Sequence, residues 1–422
     1  MSLAAVLLVL IQYLLGTSES LFTPGLAART FASSFQGNGY NFVATKAPGA
    51  YSNVSPAKMI LRDGYPSETH SVTTEDGYIL TVFRIPGSVH SPPVFLQHGL
   101  LESSADWLIS GKNKSLAYIL SDNGYDVWIG NARGNTFSRK HRYLSPNDPR
   151  YWNFTWSELG KYDHPAVFTH ISKINGQPLV YIGHSMAGST FSVMAIERPD
   201  IARKFKAFIG LAPATYEYHV RAPLRYLAPF WRQFQQMCYK LGIYEFLPHA
   251  KIFNVLAKHI CQQSQLQEAL CTNPLFLIGG PNPTQLNTTL LPHIWSSFPA
   301  GTSVKLFTHW LQQMVVNEFS KFDYGPAKNQ EVYGTARPPK YDLSKVQVPS
   351  AVFWSKNDWL VPGEDVRHFY EQLPLKMGIY KVQDSTYNHF DFLWAPSAPE
   401  MVYSKILALL DRLDLRNNQL YY

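Results

Sequence analysis

The pentapeptide Gly183-His-Ser-Met-Ala187 lies between the apolar run 178–182 and the helix-like stretch 188–198, and no other segment constrains the chain as much. A serine on a strand-to-helix turn sits where strand and helix crowd together, so the flanking positions need small residues. Gly183 meets that need, and Ala187 meets it less well. The turn predicts an elbow at the end of a parallel strand, with Ser185 exposed as a candidate nucleophile. A weak alcohol reacts only if a base removes its proton and fixed donors receive the oxyanion, so the other members must lie elsewhere in the chain. A serine in such a context also arises by chance.

In sheets of this kind the acid and base follow the nucleophile in the order Ser, Asp or Glu, then His, each after a later strand. Residues 350–354 read as a buried parallel strand, which puts Asp358 in the loop at its carboxyl end. Residues 379–382 read as the next strand, and the loop 383–388 delivers His389. In this assignment His389 takes the proton of Ser185 and returns one to the leaving group, while Asp358 fixes the imidazole tautomer. Asp365 and Asp384 compete for the acid role, because an Asp after a strand serves equally as a turn or N-cap residue. Met186 supplies the oxyanion donor that follows the nucleophile, through its backbone N–H. Residues 93–97 read as the earlier strand that carries the second donor, which places it at the backbone N–H of Leu100; alternatively, His98-Gly99 simply turns the chain.

At 422 residues, of which 45% are hydrophobic, the chain is large enough for one catalytic unit with an inserted subdomain. The apolar run 4–15 is too short to cross a membrane and reads as part of a secretory signal over 1–20, followed by a flexible leader over 21–53. No other stretch is long and apolar enough to span a bilayer. The core then occupies 54–213 and 336–415, interrupted by a helical cap or lid over 214–335. Helix-like stretches within that cap are 220–234, 238–256 and 304–318, with Leu227, Phe230, Trp231 and Phe234 at helical spacing. Such a stripe is more often core than binding surface, yet it sits where a lid over the nucleophile would be inserted.

Secretion agrees with the remaining signals. Of the three cysteines, Cys261 and Cys271 bracket a short segment and are paired, leaving Cys238 free. Asn53, Asn113, Asn153 and Asn287 each begin an N-x-S/T sequon. The net charge of +7 is carried without a basic block, which argues against nucleic acid and leaves either a scattered surface charge or attraction to an anionic lipid interface. Metal, nucleotide and dinucleotide motifs are absent from the sequence, so no cofactor is expected. Gly130-Asn-Ala-Arg-Gly134 has the look of a phosphate loop but lacks its Lys and Ser/Thr.

Several long blocks carry a resemblance. They are 64–86 (GYPSETHSVTTEDGYILTVFRIP), 96–101 (LQHGLL), 130–141 (GNARGNTFSRKH), 151–166 (YWNFTWSELGKYDHPA), 299–303 (PAGTS) and 387–395 (YNHFDFLWA). With these blocks in this order, residues 55–410 resemble the acid lipase family, and the chain looks most like a secreted invertebrate member. The resemblance implies an α/β-hydrolase fold, a mainly parallel sheet with helices on both faces and an inserted helical cap. It also places Ser185, Asp358 and His389 at the family's triad positions and Leu100 and Met186 at its oxyanion positions. It supports a short disulfide loop at Cys261 and Cys271, makes 130–134 a structural turn near the active-site mouth with Arg133 as its anchor, and puts about Gly279 where the family has a further Cys. Two departures stand at the elbow, where the family carries Gln in place of Met186 and Gly in place of Ala187. The extra methyl at Ala187 is expected to press the helix away from the strand at a cost of about 1–3 kcal/mol.

The resulting expectation is a monomer without cofactor, secreted or held in a lysosome-like compartment, that hydrolyses triacylglycerol or steryl ester at a lipid–water interface through an acyl-enzyme. The alternatives are a carboxylesterase for small soluble esters and a non-catalytic lipid-binding protein with a decayed site.

Overall fold

The computed structural model describes residues 55–249 and 265–413. The expected signal at 1–20 and leader at 21–53, with Asn53 and Cys261, lie outside the described residues.

The strands are β1 (Glu68–Thr73), β2 (Tyr78–Ile85), β3 (Pro93–Gln97), β4 (Asp126–Ile129), β5 (Lys140–His141), β6 (Leu179–His184), β7 (Phe205–Leu211), β8 (Glu245–Phe246), β9 (Thr302–Ser303), β10 (Ser350–Trp354) and β11 (Lys376–Lys381). The main sheet has the order β1-β2-β4-β3-β6-β7-β10-β11, with β5 on β2. From β4 to β11 every pairing is parallel, whereas β1, β2 and β5 form an antiparallel flank. Strands β3, β4 and β6 are buried along their whole length, which is why they read as continuous apolar runs rather than as alternating ones. Edge strand β11 is half exposed.

Helix Ala187–Glu197 follows β6 directly, one residue earlier than its apolar pattern suggests. Its Phe191 stacks on Phe208 of β7 with ring centroids 4.4 Å apart, and Tyr181 of β6 lies 4.8 Å from Phe191. Each such fully buried ring contributes on the order of 2–3 kcal/mol through the water it no longer meets. This packing holds the elbow between a rigid strand and a rigid helix.

Between β7 and β10 the chain makes a long excursion. The expected helix over 220–234 is replaced by short 3₁₀ turns, Pro223–Tyr226 and Ala228–Phe230, because Pro223 and Pro229 lack the N–H that a continuing helix requires. A helix then runs from Trp231 to Lys240 and ends at Gly242, whose φ of +72° takes the chain out of the helix. The expected helix over 238–256 therefore does not begin at Cys238; β8 occupies 245–246 and pairs with β9. Helices Gln265–Gly279, Leu291–Ser297, Val304–Val315 and Pro326–Tyr333 complete the insertion, the third ending before the expected 318. Of the proposed apolar stripe, Leu227 and Phe234 are buried, whereas Phe230 is 47% exposed.

Candidate active site

Ser185 has φ +56°, a left-handed conformation that costs a non-glycine residue about 1–2 kcal/mol. Hydrogen bonds on both sides hold it there. Its N–H donates to the Leu211 carbonyl at 3.0 Å, and its own carbonyl accepts from Gly188 and Ala214, both at 2.9 Å. The end of β7 thus cradles the turn at the end of β6. Gly99 is part of the same fit: a Cβ there would fall 2.7 Å from Cβ of Ser185, so only glycine lets the loop after β3 approach the serine. The methyl of Ala187 is accommodated rather than expelled. A Cβ at Gly183 would stand 2.6 Å from it, so glycine at 183 makes room for alanine at 187.

Asp358 and His389 meet. His389 Nδ1 lies 2.8 Å from Asp358 Oδ2, and both side chains are at most 1% exposed. The other carboxylate oxygen accepts from the N–H groups of Leu360 at 2.9 Å and Val361 at 2.7 Å. A carboxylate accepts only, so Nδ1 is the donor in this contact, the tautomer that makes Nε2 the acceptor of the neutral imidazole. The two competing acids are otherwise occupied. Asp365 bonds His219 at 2.7 Å, and Asp384 caps Thr386.

The loop that carries His389 is held from several sides. Its N–H donates to Gly279 O, Asn388 Nδ2 donates to Gly280 O at 2.8 Å, and Asn357 of the acid loop donates to Thr386 O at 2.9 Å. Position 279 thus acts through its carbonyl, and its lack of a side chain leaves room for Phe390, which a Cβ would meet at 2.7 Å.

Behind the serine lie three buried groups to which sequence reasoning assigned no role. His98 Nδ1 donates to Gly99 O at 2.8 Å while its Nε2 accepts from the N–H of Ala132 at 3.0 Å, a neutral pattern consistent with burial pushing its pKa down. Because a trans peptide directs C=O and N–H oppositely, pinning the Gly99 carbonyl also fixes the direction of the Leu100 N–H. The N–H groups of Leu100 and Met186 donate to no partner among the described residues. Glu102 and His184 form a buried pair, with His184 Nδ1 2.8 Å and 3.0 Å from the two carboxylate oxygens. The available sequence signals are an acidic residue directly after the Leu100-Leu101 pair and a His directly before the nucleophile.

Arg133 anchors the 130–134 turn. It is 1% exposed, contacts Asp76 at 2.6 Å and Asp163 at 2.5 Å, and lies 3.9 Å from the ring centroid of Tyr78. Cys238 is free and buried, and Cys271 is buried, while its expected partner Cys261 is outside the described residues. Asn113, Asn153 and Asn287 are exposed. A cavity of about 210 Å³ between Met59, Ile109, Phe137 and His293 contains none of the candidate residues.

Comparison with known proteins identifies the family. Residues 56–111 match the model of a partial alpha/beta-hydrolase lipase region, and residues 92–396 match the alpha/beta hydrolase fold. Lipase 3 of Drosophila melanogaster is 40% identical over 82% of this chain and 90% of its own length. Human gastric triacylglycerol lipase is 39% identical over 86% of this chain and 92% of its own. A solved structure from Sulfolobus solfataricus, 16% identical, matches 82% of this chain and 94% of its own with a TM-score of 0.55, a likeness of fold. With relatives this similar along most of its length, the chain belongs to the acid lipase family and is a carboxylic ester hydrolase of α/β-hydrolase fold.

Proposed function

We propose that the protein is a secreted serine hydrolase that cleaves neutral lipid esters, triacylglycerol or steryl ester, through an acyl-enzyme intermediate. The observation that carries this reading is the buried 2.8 Å contact of His389 Nδ1 with Asp358 Oδ2, which leaves Nε2 to act as the base, on a ring 4.5 Å from that of His184, the residue before Ser185. In the first step Ser185 Oγ attacks the ester carbonyl and its proton passes to His389 Nε2. The carbonyl oxygen becomes an oxyanion that accepts from the N–H groups of Leu100 and Met186. Asp358 stabilises the imidazolium that forms. His389 then protonates the leaving alcohol as its bond to carbon breaks, and a water activated by the same imidazole releases the fatty acid and restores the serine.

The substrate class is supported by the relatives, among them gastric triacylglycerol lipases, and by the insertion over 214–335, read as a cap. Its turns expose Tyr226 at 66%, Phe230 at 47% and Leu241 at 49%, apolar surface suited to a lipid interface. No helix among the described residues is long and apolar enough to cross a membrane. Location outside the cell or in a lysosome-like compartment, as a monomer, glycosylated at some of Asn53, Asn113, Asn153 and Asn287 and bridged between Cys261 and Cys271, completes the proposal. Turnover on emulsified long-chain triacylglycerol, steryl ester and soluble short-chain esters tests it. Preference for the emulsified neutral lipids supports the reading; activity confined to soluble esters would replace it with a carboxylesterase, and no activity on any ester would leave a binding protein.

A further inference from the structure

We propose that the buried Glu102–His184 ion pair is a positioning device that bolts the oxyanion loop and the His389 loop to the residue preceding Ser185. The inference rests on the reading of Ser185 as nucleophile and names what keeps its partners in register. Three contacts define it. The Gly99 N–H donates to Glu102 Oε2 at 2.5 Å, which ties the carboxylate to the peptide just before Leu100. His184 Nδ1 donates to both oxygens of that carboxylate. His184 Nε2 donates to the backbone carbonyl of His389 at 3.0 Å, so the same imidazole holds the loop of the base. A Glu102 oxygen and one ring nitrogen each of His184 and His389 lie within 4.8 Å of one another, all buried.

Both ring nitrogens of His184 face acceptors, an arrangement that only the imidazolium satisfies with two donors. Burial disfavours its charge, but the Glu102 carboxylate outweighs burial and holds His184 above its ordinary pKa; burial likewise works against Glu102, whose pKa the His184 charge and hydrogen bond bring below its ordinary value. The other ionisable groups facing the pair are His98 and Asp106 from the oxyanion-loop side and His389 and Asp358 from the far side. Burial keeps His98 neutral, and burial together with Glu102 pushes Asp106 well up, so Glu102 is the carboxylate that carries the charge in this loop. His184 does not touch the reacting atoms in this scheme. It acts through the placement of His389 and of the peptide before Leu100, where a misplacement near 1 Å costs about 100-fold in rate.

The test compares wild type with Glu102→Ala and Glu102→Gln, using a soluble p-nitrophenyl ester across pH and the rate of labelling by a fluorophosphonate. Glu102→Ala is expected to lower kcat and the labelling rate together by about 10- to 100-fold with KM within about 2-fold. Glu102→Gln keeps the size and one acceptor, so it is expected to restore most of kcat at acid to neutral pH while moving the alkaline limb of the kcat profile down by about one pH unit or more, because the carboxylate no longer supports the imidazolium. A folded Glu102→Ala with wild-type kcat overturns the proposal, as does a Glu102→Gln profile superimposed on that of wild type. Should Glu102→Ala fail to fold, the alkaline limb of Glu102→Gln decides alone. Wild type that is not labelled at Ser185 would sink the nucleophile reading itself, whereas labelled wild type with unaffected variants sinks only the role of the pair.

Discussion

At the scale of single residues, the proposed chemistry depends on atoms whose positions follow from short-range causes. Ser185 is presented because its strained φ is held by three backbone hydrogen bonds, none of which involves its hydroxyl. Ser185→Ala is therefore expected to keep the melting temperature of the wild type while lowering kcat by at least about 1,000-fold, measured on any hydrolysed ester. Ala187 makes the opposite case. Its methyl is fully buried against Gly183, so Ala187→Gly is expected to cost about 1–2 kcal/mol of stability through the lost contact and the helix preference, with kcat within about 3-fold of wild type. Chemical denaturation and steady-state kinetics on the same sample separate the two effects.

At the scale of elements, the strands that carry the three candidate residues were legible because parallel strands in mid-sheet are continuous apolar runs followed by polar loops. Asp358 was chosen over Asp365 and Asp384 on that ground, and the contacts of all three agree with the choice. Less was legible where distant parts of the chain decide the outcome. Over 220–234 the apolar spacing is helical, but Pro223 and Pro229 lack the N–H groups a helix needs, and short 3₁₀ turns form instead. The antiparallel flank β1–β2 passed unassigned, since its stability comes from β4 and from Arg133, far away in sequence. His184 lies inside the Gly183–Ala187 motif and Glu102 just after the 96–101 block, yet pairing across 82 residues leaves no trace in local pattern. Arg133 joins the β1–β2 turn at Asp76 to Asp163, ahead of the helix His164–Ile174. Arg133→Met is expected to cost about 3–5 kcal/mol in urea unfolding, because it leaves two carboxylates without their cation; an effect below about 1 kcal/mol would show that the network is dispensable.

At the scale of the whole molecule, the buried Asp391 carboxyl links folding to pH. Burial raises Asp391 to about 7, although its Oδ2 accepts from Asn388 N–H and Asn282 Nδ2, both at 2.7 Å. In the unfolded chain the same group titrates near ~3.9, so the native state binds the extra proton and its contribution is full below about pH 4 and lost as pH rises through 7. The melting temperature is expected to fall from pH 5 to pH 8, and Asp391→Asn, which carries no titrating proton, is expected to flatten that fall; an equal slope in both proteins would show that other groups set it.

The most direct test of the central claim, that Ser185 is a nucleophile activated by His389 and Asp358, is mass-spectrometric mapping of the protein after exposure to a fluorophosphonate. The account predicts one stoichiometric adduct on the peptide containing Ser185, formed far more slowly in His389→Ala. An adduct at another residue, or an unmodified Ser185 in protein that still hydrolyses esters, would contradict it.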